Sequence, residues 1–301
     1  MKKTIFADKK KLERLIAEAG FVPTTIARGL GVTYKSVYRW LNKGVMPHPG
    51  QSKVIDRLFK DNVDITPMVY AAKKHFGKDP LITLKRNPKI RDKFFLEMTY
   101  HSNAIAGSRL TLKETKQAIE AKVIKGRSFY DLLEAINHNN ALIYMLECLK
   151  PGFKINANYI LKLHSILLYN FNEKLPGKYR TGHVNLTDSE KPLTNALEVP
   201  IKMKSFLSSI NSPKPEIIKK IAATHYNFEN IHPFFDGNGR LGRLIMVTQL
   251  LLKGFPPAVI QINDKEKYHQ ALEKCDIGEY KPLTQLTCEA ILNGYELLEN
   301  K

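Results

Sequence analysis

Hydrophobic positions along most of the chain recur at the spacing of an α-helix. Ile90, Phe94 and Met98 lie close to a period of 3.6 residues. Further apolar stripes of the same kind cover residues 132–149, 159–168, 199–210, 217–231, 241–252, 268–272 and 283–298. Gly107 is typical of a helix C-terminus, and residues 111–114 (Thr-Leu-Lys-Glu) form a capping box for the next helix. The pattern therefore predicts a mainly helical chain.

The helical periodicity fails between Pro176 and Pro200. Residues in the first half of this stretch are typical of a short strand or hairpin: Tyr179, Thr181, His183, Val184, Asn185 and Leu186. The predicted fold class is all-α with one short β-hairpin, together with a small helical domain at the N-terminus.

Charge divides the chain. The 301 residues carry a formal net charge of +18, and residues 1–62 hold 13 Lys and Arg against 5 Asp and Glu. Such a basic segment predicts a separate module with a polyanionic partner. Residues 63–89 contain three prolines and are predicted to connect it, with one short helix, to a larger domain over 90–301.

Composition excludes several classes of protein. With 43% hydrophobic and 25% charged residues, the chain can fill a core and is not a disordered sequence. Its three cysteines lack C-x-x-C spacing, which argues against a disulfide scaffold or a cysteine zinc site. The most apolar run, 244–252, is too short to span a bilayer. We expect a soluble, cytoplasmic protein with no membrane partner.

Within the basic module, the spacing of Ala27, Gly31, Val37 and Trp40 resembles a repressor-type helix-turn-helix. On that interpretation residues 24–42 bind DNA, and the outer face of the second helix carries Thr33, Tyr34, Lys35, Ser36 and Arg39. A merely basic helical bundle, or one that binds protein through the same face, stays open.

Residues 232–243, with the sequence HPFFDGNGRLGR, concentrate the candidate chemistry. They lie between two helical patterns, so a helix, a loop and a second helix are predicted. Gly237 and Gly239 allow backbone N–H groups to converge on an anion, and the N-terminus of the second helix adds positive potential. Arg240 and Arg243 are three residues apart and project from one side of that helix, where they can hold phosphate oxygens.

The same segment supplies a metal ligand and a base. Asp236 offers the hard oxygen that Mg²⁺ prefers, and His232 can take a proton near neutral pH. The short amide of Asn238 can cap the helix or touch a phosphate. Together these residues indicate phosphoryl-type transfer by positioning and electrostatics.

Two other interpretations of this region are weaker. Residues 237–242 match the dinucleotide fingerprint G-x-G-x-x-G, but that fingerprint needs a preceding strand and 217–231 is predicted to be helical. His225 and His232 are seven residues apart with no third ligand, which argues against zinc.

The segment resembles the Fic-family signature, His-Pro-Phe-x-Asp/Glu-Gly-Asn-Gly-Arg-x-x-Arg, at every specified position, and the resemblance extends over about residues 90–290. Most Fic enzymes transfer AMP from ATP to a protein hydroxyl and release pyrophosphate. The resemblance implies a helical Fic fold with a β-hairpin flap at about 183–191 that aligns the target, and bacterial Fic domains are often joined to a helix-turn-helix.

The resemblance also implies a role for each site residue. His232 is expected to deprotonate the target Ser, Thr or Tyr, and Asp236 to bind Mg²⁺ between the α- and β-phosphates of ATP. The residues expected to bind the nucleotide are Gly237, Asn238 and Gly239 as anion cradle, Arg240 and Arg243 on the polyphosphate, and Tyr268 at the adenine. For Tyr268, an ordinary place in the core stays open.

Many Fic proteins carry an inhibitory helix, Ser/Thr-x-x-x-Glu-Gly/Asn, whose glutamate pairs with the last arginine of the signature. Residues 91–106 resemble that helix: Ser102 and Gly107 match, but Ala106 stands at the glutamate position. The resemblance therefore implies a derepressed adenylyltransferase that also modifies itself. A Fic enzyme that uses another donor, such as UTP, and a DNA-binding regulator with a nucleotide-sensing Fic domain stay open, as does a homo-oligomer.

Overall fold

The computed structural model describes residues 7–122, 124–171, 175–184, 193–213 and 215–299. These residues form α-helices and two short 3₁₀ turns, and no strand occurs among them. The chain divides into two compact units, Met1–His75 and Phe76–Lys301. The mainly helical prediction is confirmed for the described residues.

The first unit is built from five helices, the last of which extends one residue past its boundary: α1 Asp8–Ala19, α2 Pro23–Gly29, α3 Tyr34–Asn42, α4 Pro49–Asn62 and α5 Thr66–Phe76. Leu15, Val37 and Phe59 are buried in its core. Lys11 is also buried, and its ammonium group is bonded to Asp8 and Asp56.

Helices α2 and α3 are joined by four residues, 30–33. Gly31 has φ +62°, a conformation that a residue without a Cβ adopts at low cost. Ala27 and Trp40 are buried, as their spacing predicts. The hydroxyl of Thr33 accepts a hydrogen bond from the backbone N–H of Ser36 at 3.3 Å and so caps α3.

The second unit contains the remaining helices: α6 Pro80–Arg86, α7 Pro88–Ile105, α8 Leu112–Ile119, α9 Phe129–Cys148, α10 Ala157–Leu167, α11 Val199–Asn211, α12 Ile217–Ile231, α13 Asn238–Leu252, α14 Lys265–Asp276 and α15 Lys281–Glu299. The predicted capping box is confirmed, because Thr111 and Glu114 bond reciprocally at the start of α8. The 217–231 stripe coincides with α12.

Helix α13 lies at the centre of this unit. Nearly all its side chains are buried, including the polar Thr248 and Gln249, as expected for a helix surrounded by others. It packs against α7, α9, α10 and α12, and Leu241, Leu244 and Phe228 are fully buried at these contacts. Helix α13 is therefore held in place by its neighbouring helices.

One predicted segment differs from the structure, and most of another lies outside the described residues. Residues 63–89, expected to be a connector with one short helix, hold all of α5 and α6 and the first two residues of α7. The predicted flap falls largely within 185–192, which lies outside the described residues, and the described residues 175–184 and 193–195 contain no strand. Within the described part of the chain, no helix combines the length and apolar character that a membrane span requires.

Candidate active site

The residues of the signature form a short loop between α12 and α13. His232 ends α12 in a left-handed conformation, with φ +47° and ψ +63°. Gly237 precedes the first residue of α13 with φ +76°, and no side chain caps this helix start. The backbone N–H groups of the first turn are thus free of a side-chain cap, which is the feature that lets a helix N-terminus bind an anion.

The side chain of Asn238 bridges the signature loop through two hydrogen bonds to the backbone of one loop residue. Its Oδ1 accepts from the N–H of Phe234 at 2.9 Å, and its Nδ2 donates to the carbonyl of the same residue at 2.8 Å. The Asn238 side chain is buried, so its amide holds the loop and does not reach towards a ligand. What Asn238 offers to an anion is its backbone N–H.

His164 of α10 packs against the signature loop and is bonded to it. The sequence did not single out this residue. Its Nδ1 accepts from the N–H of Gly177 at 2.9 Å, so the ring is neutral and its Nε2–H donates to the carbonyl of Asp236 at 3.0 Å. The ring stacks on Phe234 with centroids 3.7 Å apart. Burial lowers the pKa of His164 to about 4. A lone histidine on an apolar helix face carries no sequence signal for this contact.

The imidazole of His232 is neutral at physiological pH. Burial lowers its pKa to about 4, with a further contribution from the Arg180 cation, while a hydrogen bond to the backbone of Glu229 and the charge of Asp236 act in the opposite direction. A neutral imidazole keeps a lone pair on one of its two ring nitrogens. The imidazole of His232 is therefore already in the form that can act as a general base.

Asp236 is the exposed carboxylate of the loop, with 61% of its side chain accessible. Its Oδ1 accepts from the N–H of Gly237 at 2.5 Å and from Nη2 of Arg240 at 3.2 Å. The side chain is thus oriented by its own loop and by the next helix while remaining open to solvent.

Arg240 is buried and is held between two carboxylates. Besides Asp236, it donates from Nη1 to Oε1 of Glu134 on α9 at 2.7 Å. Burial raises the pKa of Glu134, and the charge of Arg240 opposes that rise. Glu134 lies 106 residues away in the sequence, so its role was not visible before the fold was known.

Arg243 is buried against α7. Its Nε donates to the hydroxyl of Ser102 at 3.0 Å and its Nη2 to the carbonyl of Ser102 at 2.7 Å. A Cβ added to Gly239 would stand 3.2 Å from Nη1, so this end of the guanidinium faces the glycine turn. Ala106, four residues after Ser102, is exposed at the C-terminal cap of α7.

Tyr268 lies beneath the same arginine. The guanidinium carbon of Arg243 is 6.0 Å from the centre of the Tyr268 ring, and the Tyr268 hydroxyl is 2.7 Å from Nε2 of His225. Only 2% of Tyr268 is exposed. The structure therefore places Tyr268 beside Arg243, in contact with a buried histidine, and its predicted role at the adenine stays a prediction.

Glu229 adds a buried carboxyl group to this cluster. Its side chain occupies the space that a Cβ on Gly242 would need, and its Oε1 has no hydrogen-bond partner among the described residues. Burial raises its pKa to about 7 against the opposing charge of Arg243. The carboxyl group is therefore partly protonated near neutral pH.

The arrangement combines a neutral imidazole, a helix N-terminus and two buried arginines within one twelve-residue segment. Residues 154–250, which contain this segment, match the model of the Fic/DOC family. This stretch of the chain is therefore similar to a Fic domain. Comparisons over longer stretches of sequence and structure agree with this assignment.

Two relatives illustrate the sequence similarity. A protein adenylyltransferase Fic from Nematostella vectensis is 33% identical over 208 residues, which cover 67% of this chain and 48% of that protein. Another from Aedes aegypti is 30% identical over 217 residues, which cover 70% of this chain and 42% of that protein. The chain thus spans less than half of the length of these relatives.

Solved structures show the same fold around the Fic domain. A Fic domain containing signaling protein from Bacteroides thetaiotaomicron superposes with a TM-score of 0.65 at 24% identity, over 77% of this chain and 96% of that one. Fic-1 from C. elegans, residues 134–508, superposes with a TM-score of 0.69 at 22% identity, over 95% of this chain and 90% of that one. The mainly helical Fic fold is therefore shown.

Proposed function

We propose that this protein transfers AMP from ATP to the hydroxyl group of Ser, Thr or Tyr in target proteins, and also to itself. The observation that carries the proposal is the neutral imidazole of His232 at the end of α12, five residues before an uncapped helix start that is flanked by Arg240 and Arg243. The names of the relatives support AMP as the transferred group.

In the proposed reaction the hydroxyl oxygen of the target attacks the α-phosphorus of ATP. A new O–P bond forms, the bond from the α-phosphorus to the bridging oxygen breaks, and pyrophosphate leaves with the electron pair. The lone pair of His232 accepts the hydroxyl proton. The first turn of α13 and the two arginines are proposed to hold the phosphates, since preorganised N–H donors and guanidinium groups stabilise charge that develops there.

Asp236 fits the magnesium ion that the family implies. Mg²⁺ in nucleotide sites is bound by one or two carboxylates together with substrate phosphates and water. Asp236 offers one exposed carboxylate beside the helix start, and the described residues contain no cluster of three or more His, Cys, Asp or Glu that would hold the ion alone. Bound there, Mg²⁺ would neutralise phosphate charge, while Asp236 holds it and Arg240 orients Asp236.

The test is incubation of the protein, alone and with a cell lysate, with ATP labelled in the α-phosphate and Mg²⁺. Transfer is expected to appear as an added mass of AMP on hydroxyl side chains. His232→Ala should abolish it and retain ATP binding, and His75→Ala, which changes an exposed histidine of the first unit, should not alter it. Equal labelling by His232→Ala and the parent would refute the proposal.

The identity of the donor is a separate point, because the signature residues face phosphates and not a base. Competition of unlabelled UTP, GTP and CTP against labelled ATP measures the preference. We expect ATP to compete best. Transfer of UMP in preference to AMP would keep the reaction class and change the donor.

We further propose that the enzyme lacks the inhibitory glutamate and is therefore derepressed. Ser102 and Ala106 lie on one face of α7, since residues four apart on a helix are neighbours. Ser102 contacts Arg243, whereas Ala106 offers no carboxylate to it. A glutamate at 106 would place a negative charge near the arginine that is proposed to hold a phosphate, and like charges at contact distance exclude each other.

Ala106→Glu is expected to reduce self-modification at least tenfold, and Ala106→Gln, which has the same length without the charge, to reduce it less. Both variants are compared with the parent by incorporation of labelled ATP. Equal incorporation by Ala106→Glu and the parent would show that this position is not the regulatory one.

A second candidate function concerns the first unit alone, which we propose to bind DNA through residues 24–42. The supporting observation is the exposed face of α3. Tyr34 and Tyr38 are exposed with ring centroids 6.4 Å apart, and Lys35 and Arg39 are exposed one turn from each other beside them. Cations interleaved with exposed aromatic rings are typical of nucleic-acid surfaces.

Fluorescence anisotropy of labelled duplex DNA tests this. Affinity should fall steeply with salt, and each of Lys35→Ala and Arg39→Ala should lower the salt slope by about one. Lys9→Ala, which removes a cation of α1 near Glu13, is the matched control. Two results together would favour a DNA-binding regulator over an enzyme. The His232→Ala variant would still bind DNA in a salt-dependent way, and the parent protein would show no transfer of labelled AMP.

A further inference from the structure

Arg180 makes an unusual set of contacts for a loop residue. It is 2% exposed, and its guanidinium donates to the backbone carbonyls of three separate residues. Nε donates to His232 at 2.7 Å, Nη1 donates to Gly182 at 3.0 Å, and Nη2 donates to Thr194. Its own backbone N–H donates to the carbonyl of Pro233 at 2.9 Å.

Burying a charged group in this way requires compensation. Among the described residues no carboxylate pairs with Arg180, and burial lowers its pKa. A guanidinium nevertheless stays protonated in proteins, so the charge must be stabilised by its hydrogen bonds. Each of its three nitrogens has a carbonyl partner, and the planar geometry of the group fixes where those carbonyls can lie. Arg180 therefore sets the relative positions of three backbone segments.

One of these segments carries the imidazole. His232 has positive φ without being glycine, a strained conformation that persists only where neighbours hold it. Arg180 holds the His232 carbonyl and, through its own N–H, the next carbonyl in the chain. The direction in which the His232 side chain leaves the backbone thus depends on Arg180.

The other two segments flank residues 183–193. Gly182 and Thr194 are twelve residues apart in sequence, yet they bond to the same guanidinium. A Cβ on Gly182 would stand 3.6 Å from the ring of Phe235, so this segment also packs on the signature loop. The chain therefore leaves the site at Gly182 and returns to it at Thr194.

We propose that Arg180 is a positioning residue for AMP transfer: it holds the backbone of His232 in a fixed arrangement with Gly182 and Thr194, so that the base keeps its placement in the site. The proposal rests on the function proposed above. It assigns to Arg180 no contact with ATP, so it separates the placement of the base from binding of the nucleotide.

The charge of Arg180 affects the pKa of His232, so a change at Arg180 can be measured at the imidazole. Arg180 and Asp236 face the imidazole with opposite charge, the backbone of Glu229 bonds to it, and Arg240 and His164 are both bonded to Asp236. Removing the Arg180 cation while the others remain is expected to raise the pKa of His232. Replacing it by another cation is not.

Two variants separate geometry from charge. Arg180→Lys keeps the charge but cannot bridge three carbonyls, and Arg180→Met loses both. Single-turnover transfer should fall by about 10²-fold in each, as expected when a catalytic group is misplaced by about 1 Å. The dissociation constant for ATP should stay within about twofold, which also reports that the variants are folded. Arg109→Met, at an exposed arginine, is the control.

NMR titration of the His232 ring supplies a readout independent of turnover. Arg180→Met should raise its pKa by about one unit and Arg180→Lys should leave it close to that of the parent. Any one of three results would overturn the proposal. Arg180→Lys could transfer AMP as fast as the parent, either variant could lose ATP binding to the same extent as transfer, or Arg180→Met could leave the pKa of the His232 imidazole unchanged. If the parent itself transfers no label, the proposed function fails, and the titration still decides whether the charge of Arg180 acts on His232.

Discussion

Gly237 is a single residue on which the shape of the signature loop depends. Its φ of +76° favours glycine, and a Cβ there would stand 2.9 Å from Cδ2 of Leu168. Real Cβ atoms do not approach a neighbour so closely, so an added methyl group must displace α10, the start of α13, or both. Two separate physical effects therefore select glycine at this position.

Gly237→Ala is expected to destabilise the Fic domain by about 1–3 kcal/mol from backbone strain alone, and by more once the contact with Leu168 is added. Gly278→Ala is the matched control, because Gly278 has φ +84° with no atom near the added Cβ. Urea unfolding followed by circular dichroism measures both variants. Equal losses would show that the loop relaxes around the methyl group.

At this scale the sequence identified the residues that bear the chemistry but not the residues that hold them. His232, Asp236, Arg240 and Arg243 stand in one short segment with a specific spacing. Among their partners, Ser102 was marked only by the resemblance of its helix to an inhibitory motif. Glu134, His164 and Arg180 come from three other segments, and each is a common residue type with no local pattern. Only the packing of helices brings such distant positions together, so single-chain patterns cannot reveal them.

Among the helices, α7 and α13 are connected by the pair Ser102 and Arg243. Both side chains are buried, so removal of either leaves the other with unsatisfied polar groups. This contact is the link between the region that resembles an inhibitory helix and the arginine proposed to hold a phosphate.

A double-mutant cycle should reveal the link. Ser102→Ala and Arg243→Met are each expected to lower the free energy of unfolding by about 1–3 kcal/mol, and the double variant should lose less than the sum by about 0.5–3 kcal/mol. Thr111→Ala, at the cap of α8, serves as the control partner and should add to Arg243→Met within about 0.5 kcal/mol. Additivity in the first pair would mean that the helices are not coupled here.

Helix positions were predictable where an apolar stripe had clear ends. Helix α12 and the start of α8 were placed correctly, because the 3.6-residue period and the capping box are local signals. The region 63–89 was not, since its three prolines suggested a connector. Proline is well tolerated in the first turn of a helix, and Pro80 and Pro88 begin α6 and α7. Proline, which suggested a connector in this region, is thus the residue with which two helices begin.

For the molecule as a whole, the division into two units has a direct experimental signature. The chain contains one tryptophan, Trp40, and it is buried in the first unit. Its fluorescence reports unfolding of that unit, while circular dichroism reports helices in both.

We expect Mg²⁺ and ATP to raise the unfolding midpoint seen by circular dichroism and to leave the Trp40 transition unchanged. A ligand that binds only the folded Fic domain stabilises it by about 2.7 kcal/mol at one hundred times its dissociation constant. His232→Ala, which should retain ATP binding, should show the same shift. A parallel shift of the Trp40 transition would show that the two units unfold together.

Three of the nine histidines, His138, His164 and His225, lie buried in the second unit, and a fourth, His232, is half-buried there; all four rings are neutral. Their pKa values are lowered by burial to about 3 for His138 and His225 and to about 4 for His164 and His232. The unfolded chain binds protons near pH 6.5 where the folded one does not. The stability they support is complete above pH 6.5 and is lost as the pH falls towards 4. Glu229 and Glu134, whose pKa values are raised by burial, act in the opposite direction, but they are two groups against four.

Acidification should therefore act on this domain as a denaturant: unfolding will take up protons, and the thermal midpoint should drop steadily from pH 7 to pH 5. His164→Gln should flatten that slope, and an unchanged slope would mean that this ring is not among the groups that titrate. The same tight packing that keeps the proposed base ready at neutral pH thus confines the folded domain to neutral and alkaline surroundings.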